Sequence, residues 1–116
     1  MDERIEKWLV DILSAMDEIE SFTKTTEPRS FGLYKNNLIV KRAVERNLEI
    51  IGEAMNRIIK AEFAISEYVP ESKSIINLRN HIIHAYDNIS DEIIYSIVTA
   101  HLPKLRVQIE ELLNLE

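Results

Sequence analysis

The sequence predicts an all-α fold, a four-to-five-helix bundle, and three observations lead to it. Apolar residues recur at spacings of three and four along four separate stretches of the chain. Two glycines and three prolines in 116 residues leave few places to turn, so the elements between the turns must be long. No run alternates apolar and polar residues as a half-buried strand would, and no repeat or low-complexity tract occurs.

The first helix is expected over residues 3 to 22, where Ile5, Trp8, Leu9, Ile12, Met16 and Ile19 are interleaved with Asp and Glu. The stretch "TKTTEPRS" then breaks the pattern: it contains no apolar residue, and Pro28 disfavours helix at the residue before it. A short extra turn is expected near residues 28 to 36. The second long helix is expected from about Leu33 to Ala64, with Val44, Leu48, Ile51, Met55 and Ile58 forming a packed seam. Gly52 lies inside that run. Glycine costs about 1 kcal/mol against alanine in a helix interior, so a close approach by another helix is expected there. The other side of this helix carries Arg42, Arg46, Glu49, Glu53 and Arg57. One reading is a solvated face of i, i+4 charge pairs. The other is that Arg46 and Glu53, two turns apart, line a polar cleft or an interface.

"SEYVPESKS" is the second interruption, and a third helix is expected to begin near Glu71 or Ser72 and to carry Ile75, Ile76, Ile82 and Ile83. "DNIS" ends that pattern. Ser90 is a good N-cap, and Asp91 and Glu92 suit the positive end of a helix dipole. The fourth helix should run to about Leu113 on a stripe of Ile94, Ile97, Val98, Leu102, Leu105, Ile109 and Leu112. Pro103 within it should kink the helix or open one turn.

The length fits a single domain over residues 1–116, large enough for a core without staples. The absence of cysteine excludes disulfides and thiolate metal sites. No segment is apolar for long enough to span a bilayer, so no membrane association is expected. The opening "MDERIEKWLV" is acidic and has no secretory core, which makes the cytoplasm the expected compartment. A net charge of −6 argues against a general electrostatic grip on nucleic acid, while leaving room for a local basic cleft.

The chemistry-bearing side chains concentrate in "LRNHIIHAYDNIS", residues 78–90, which holds Arg79, Asn80, His81, His84 and Tyr86. On a regular helix Arg79 and His84 sit roughly 140° apart and do not share a face, whereas Asn80 and His84 do. Arg79 and His84 can meet if the helix unwinds between them, if the arginine wraps round, or if a second copy brings its own pair to the same cleft. Cleavage of an RNA phosphodiester would use this set. The 2′-hydroxyl is a built-in nucleophile. His84 has the intrinsic pKa for proton transfer near neutrality, and Arg79 is a planar, permanently charged fork for phosphate oxygens. Asn80 is a candidate to orient either partner or to bind phosphate. One histidine is too few for a separate acid and base, so a two-fold dimer becomes a mechanistic expectation. The plain alternative is that the histidines are merely exposed or hydrogen-bonded near a helix end and Tyr86 a packing residue. A metal reading through His81, His84 and Asp87 lacks the H-E-x-x-H arrangement and a fourth ligand, so neither metal nor cofactor is expected. His101, beside the apolar stripe of the fourth helix, reads as structural.

"RNHIIHAYD" resembles the Arg-x4-His-x-Tyr signature of the HEPN superfamily in its HepT-like branch. "AVERNLEIIGEAMNRI", residues 43–58, is similar to the second-helix signature of that branch, and "DNISDEIIYSIVTAHLPKL", residues 87–105, to the stretch after the motif. The resemblance spans nearly the whole chain. It implies a HEPN-like bundle that forms a homodimer with the motifs facing each other. It implies a metal-independent endoribonuclease that is toxic when unrestrained. It also implies a partner antitoxin, a minimal nucleotidyltransferase of the MntA type, that silences the toxin by transferring AMP from ATP to the motif tyrosine. Matched residue by residue, the catalytic pair is Arg79 and His84, the supporting residue is Asn80, and the modified tyrosine is Tyr86. Arg46 and Glu53 fall within the second-helix segment and become candidates for lining the cleft. Asn77 departs from the pattern, standing where the branch would have a small residue. The competing functional expectation is a non-catalytic module, a nucleotide-binding or scaffolding partner of a nucleotidyltransferase.

Overall fold

Asp2 starts the first helix: its carboxylate accepts a hydrogen bond from the Arg4 backbone N–H at 2.7 Å. Helix α1 (Glu3–Lys24) follows, and Ile5, Leu9, Ile12, Met16 and Ile19 are all buried along one stripe. The computed structural model describes residues 1–24, 31–84 and 90–114.

The single long helix expected from Leu33 to Ala64 is divided. A short helix α2 (Phe31–Lys35) comes first, then α3 (Leu38–Ala61). The division falls at Asn37, whose backbone is extended and whose side-chain oxygen accepts from the Val40 N–H at 3.1 Å. An asparagine that satisfies an otherwise unpaired N–H favours starting a new helix over continuing the old one. At its other end α3 stops at Ala61. Glu62 is extended, and a 3₁₀ turn (Phe63–Glu67) leads away. The extra turn expected near residues 28–36 corresponds to α2 over the part of that range that is described.

Helix α3 forms the centre of the bundle and packs most extensively on α1 and on α4 (Ser72–His84). Its seam of Val44, Leu48, Ile51, Met55 and Ile58 is fully buried, as the spacing requires. In α4 the buried apolar residues are Ile75, Leu78 and Ile82. Ile83, carried by the same helix, is exposed, because Leu78 and Ile82 already complete the buried stripe one turn apart.

The last stretch is a continuous helical rod made of α5 (Asp91–Ser96), a π-helical turn (Ile97–His101) and α6 (Leu102–Asn114). Ser90 caps it, its hydroxyl accepting from the N–H groups of Glu92 at 3.1 Å and Ile93 at 3.3 Å. Pro103 does open a turn. The Leu102 N–H reaches back to the Ile97 carbonyl, one residue further than in an α-helix. A proline has no N–H to give and its ring crowds the carbonyl four residues earlier, which the wider turn accommodates. Ion pairs tie the rod to the bundle: Lys41 with Asp91 at 3.0 Å, and Arg106 with Asp17 at 2.8 Å and Glu20 at 3.5 Å. The described residues contain no strand, and none of their helices is long and apolar enough to cross a membrane.

Candidate functional site

Gly52 sets the place where α4 crosses α3. A Cβ at this position would collide with Arg79 Cβ, and would lie 2.9 Å from Arg79 Cγ and 3.0 Å from the Ile75 carbonyl oxygen. The close approach expected at Gly52 is therefore made by α4, and at the arginine of the motif.

The stem of Arg79 crosses α3 at Gly52, and its head is held at both nitrogen ends. Nη2 donates to Glu53 Oε2 at 3.0 Å and Nη1 donates to Asn80 Oδ1 at 3.0 Å. Nε is buried without a hydrogen-bond partner. The guanidinium side chain is 24% exposed. Glu53 is shared: its other oxygen accepts from Arg57 Nη2 at 3.0 Å. The hydrogen bond from Arg79, with the charges of Arg79 and Arg57, holds the Glu53 carboxyl below the usual carboxylate range.

His84 lies in the last turn of α4 and faces solvent, as do Asn80 and His81. The helix is unbroken from Ser72 to His84, so it does not unwind between Arg79 and His84. Nor does the arginine wrap toward the imidazole; its head turns to α3. Neither of the two routes within one chain is taken. Asn77 is exposed on α4 and disturbs no core packing. Tyr86 and Asp87 lie outside the described residues.

Both readings of the charged face of α3 have a counterpart. Arg46 pairs with Glu49 at 3.1 Å and Arg42 with Glu45 at 3.2 Å, as on a solvated face. Arg46 and Glu53 also border one open groove of about 300 Å³ between α1 and α3, together with Trp8, Glu49 and Arg57. Glu53 connects this groove to Arg79. A larger cleft of about 400 Å³, lined by Met16, Ile19, Tyr34, Tyr95 and Leu102, lies apart from the motif. The Tyr34 hydroxyl is buried there without a hydrogen-bond partner, and burial pushes its pKa up. His101 is half exposed, with Nδ1 3.6 Å from Glu71 Oε2, and so links the rod to the start of α4. No group of three metal-ligating side chains gathers among the described residues.

The structure thus brings Arg79, Asn80 and Glu53 together, keeps His84 on the same helix with its face open, and leaves Arg46 along the groove. Sequence reasoning had no means of joining Glu53 to Arg79, which is 26 positions away. The signal nearest to it was Gly52, whose close approach was legible but whose partner was not.

A family model described as "Ribonuclease HepT-like" matches residues 12–112. The "Putative RNase" proteins MJ1216 and MJ1380 of Methanocaldococcus jannaschii are 32% and 34% identical to the chain. Those alignments cover 95% and 91% of this chain and 88% and 94% of the relatives. A Thermococcus cleftensis protein named "Probable ribonuclease HepT" is 30% identical over 90% of this chain and 92% of its own length. No solved structure matches the chain. With the helical bundle, these relationships make the chain a member of the HepT-like family of the HEPN superfamily.

Proposed function

We propose that this chain is the toxin of a toxin–antitoxin pair, a metal-independent endoribonuclease that acts in the cytoplasm as a homodimer. Arg79 and His84 carry the chemistry, with Asn80, Glu53 and Arg46 in support. One observation carries the reading. A permanently charged guanidinium is oriented by Glu53 and Asn80, on the same helix as a solvent-facing imidazole, the side-chain type most used for proton transfer. In the dimer the two motifs face each other across one hollow. The imidazole of one His84 takes the proton from the ribose 2′-hydroxyl, whose oxygen attacks phosphorus. The P–O5′ bond breaks, and His84 of the partner subunit gives its proton to the leaving 5′-oxygen. A 2′,3′-cyclic phosphate and a 5′-hydroxyl end result. Arg79 stabilises the charge that builds on the phosphoryl oxygens. The net charge of −6 gives RNA no general attraction, so binding relies on local cations such as Arg46, whose side chain is 70% exposed despite its pair with Glu49.

Silencing would act through Tyr86. Tyr86 is two residues beyond His84 in sequence. AMP units transferred to it by an MntA-type nucleotidyltransferase would place bulk and phosphate charge at the mouth of the hollow, in competition with RNA for Arg79.

Expression of the chain alone tests the activity: growth arrest with RNA cleavage is expected, the arrest relieved and the cleavage strongly slowed by Arg79→Ala or His84→Ala. Mass spectrometry after co-expression with the partner tests the silencing. An AMP adduct on Tyr86 is expected, and an unmodified Tyr86 beside an active, ATP-supplied partner refutes it. A second reading, a non-catalytic nucleotide-binding or scaffolding partner, draws on the pairing of Arg79 with Glu53, which already occupies part of the guanidinium. Absence of cleavage by the purified dimer would favour it.

A further inference from the structure

We infer that Gly52 is a positioning residue for Arg79, so that consecutive α3 residues, Gly52 and Glu53, form a two-point seat for the arginine. The inference rests on the ribonuclease reading above. What fills the space beside Gly52 is the Cβ and Cγ of Arg79, with the Ile75 carbonyl oxygen of the α4 backbone beside them. The next residue, Glu53, takes the other end of the same side chain at Nη2, 3.0 Å away. The stem is thereby fixed by backbone and the head by charge, and Asn80 holds the remaining terminal nitrogen. A long, flexible side chain pinned at both ends loses its freedom on folding and not at the reaction step, which is how a supporting shell raises a rate. Gly52 thus meets both the α4 backbone and the stem of the residue proposed to bind phosphate, so the same close crossing that packs the helices also places Arg79.

A double-mutant cycle separates positioning from structure. The full-length chain is assayed in single turnover with enzyme in excess over an end-labelled pool of small cellular RNAs. Gly52→Ala is expected to lower the cleavage rate by roughly 10²-fold, the scale of a misplacement of about 1 Å. The same change in an Arg79→Ala background is expected to cost nothing further, although Arg79→Ala keeps its Cβ and so keeps the collision with position 52. Val44→Ala, a core substitution in the same helix, is expected to lower the melting temperature and leave the rate intact. Equal loss from Gly52→Ala in both backgrounds, or an undiminished rate from Gly52→Ala alone, overturns the seat while leaving the ribonuclease reading standing. An Arg79→Ala protein that cleaves as fast as the wild type removes the reading itself. If Gly52→Ala does not fold, Glu53→Gln, which keeps the side chain's size and loses its charge, is carried through the same cycle with the same non-additivity expected.

Discussion

Arg79 Nη2 and Glu53 Oε2 lie 3.0 Å apart across the crossing of α4 over α3, joining the motif arginine to the charged face of the central helix. The pair is partly open to water, with side chains 24% and 46% exposed, so its effect on stability is screened and modest. Its effect on the position of the guanidinium is larger, because Gly52 lets the two helices come close enough for the contact to form.

The pair makes stability depend on pH in a defined direction. The Glu53 carboxyl is held below its ordinary value of 4.5, chiefly by the hydrogen bond from Arg79. A carboxyl depressed in the folded state stabilises the fold above its unfolded pKa, and that contribution disappears as pH falls through the folded value. The stability gap between wild type and Glu53→Gln should therefore be complete near neutrality and close in acid. Urea melts of both proteins from neutral pH downward test this, and a gap that widens toward low pH would contradict it.

His84→Ala should separate activity from stability. The side chain is exposed at the end of α4, so its removal should change stability by no more than about 0.5 kcal/mol. Loss of a proton-transfer group should lower the cleavage rate by roughly 10²–10⁴-fold. Thermal melts and a cleavage assay on the same preparation measure both quantities.

Two caps should each be worth about 1 kcal/mol. Asn37→Ala removes the acceptor for the Val40 N–H and should weaken the start of α3. Ser90→Ala removes the acceptor shared by Glu92 and Ile93 and should weaken the start of α5. Glycine at either position should lose only a few tenths of a kcal/mol. Denaturant midpoints compare the four variants, and alanine losses no larger than the glycine losses would refute the capping role.

Much of the fold was legible because one face of each long helix must be buried. The five-residue seam of α3 and the stripe of α1 follow from spacing alone, and Pro103 announced its open turn. The break at Asn37 was hidden by apolar residues on both sides, Leu33 and Leu38 among them, which continue a helical pattern even where a cap ends it. At the site, the motif residues could be named from their chemical types and from family resemblance. The seat of Arg79 could not, because it is made by a crossing between two helices, and spacing along one helix says nothing about which residue of another will fill the gap beside a glycine.

The shared hollow is tested most directly by a heterodimer with one wild-type chain and one His84→Ala chain, isolated through two different tags and assayed for RNA cleavage. If the imidazoles of both chains serve one site as acid and base, loss of one should lower cleavage by roughly 10²-fold or more. About half of the wild-type rate, as two independent sites would give, would contradict it.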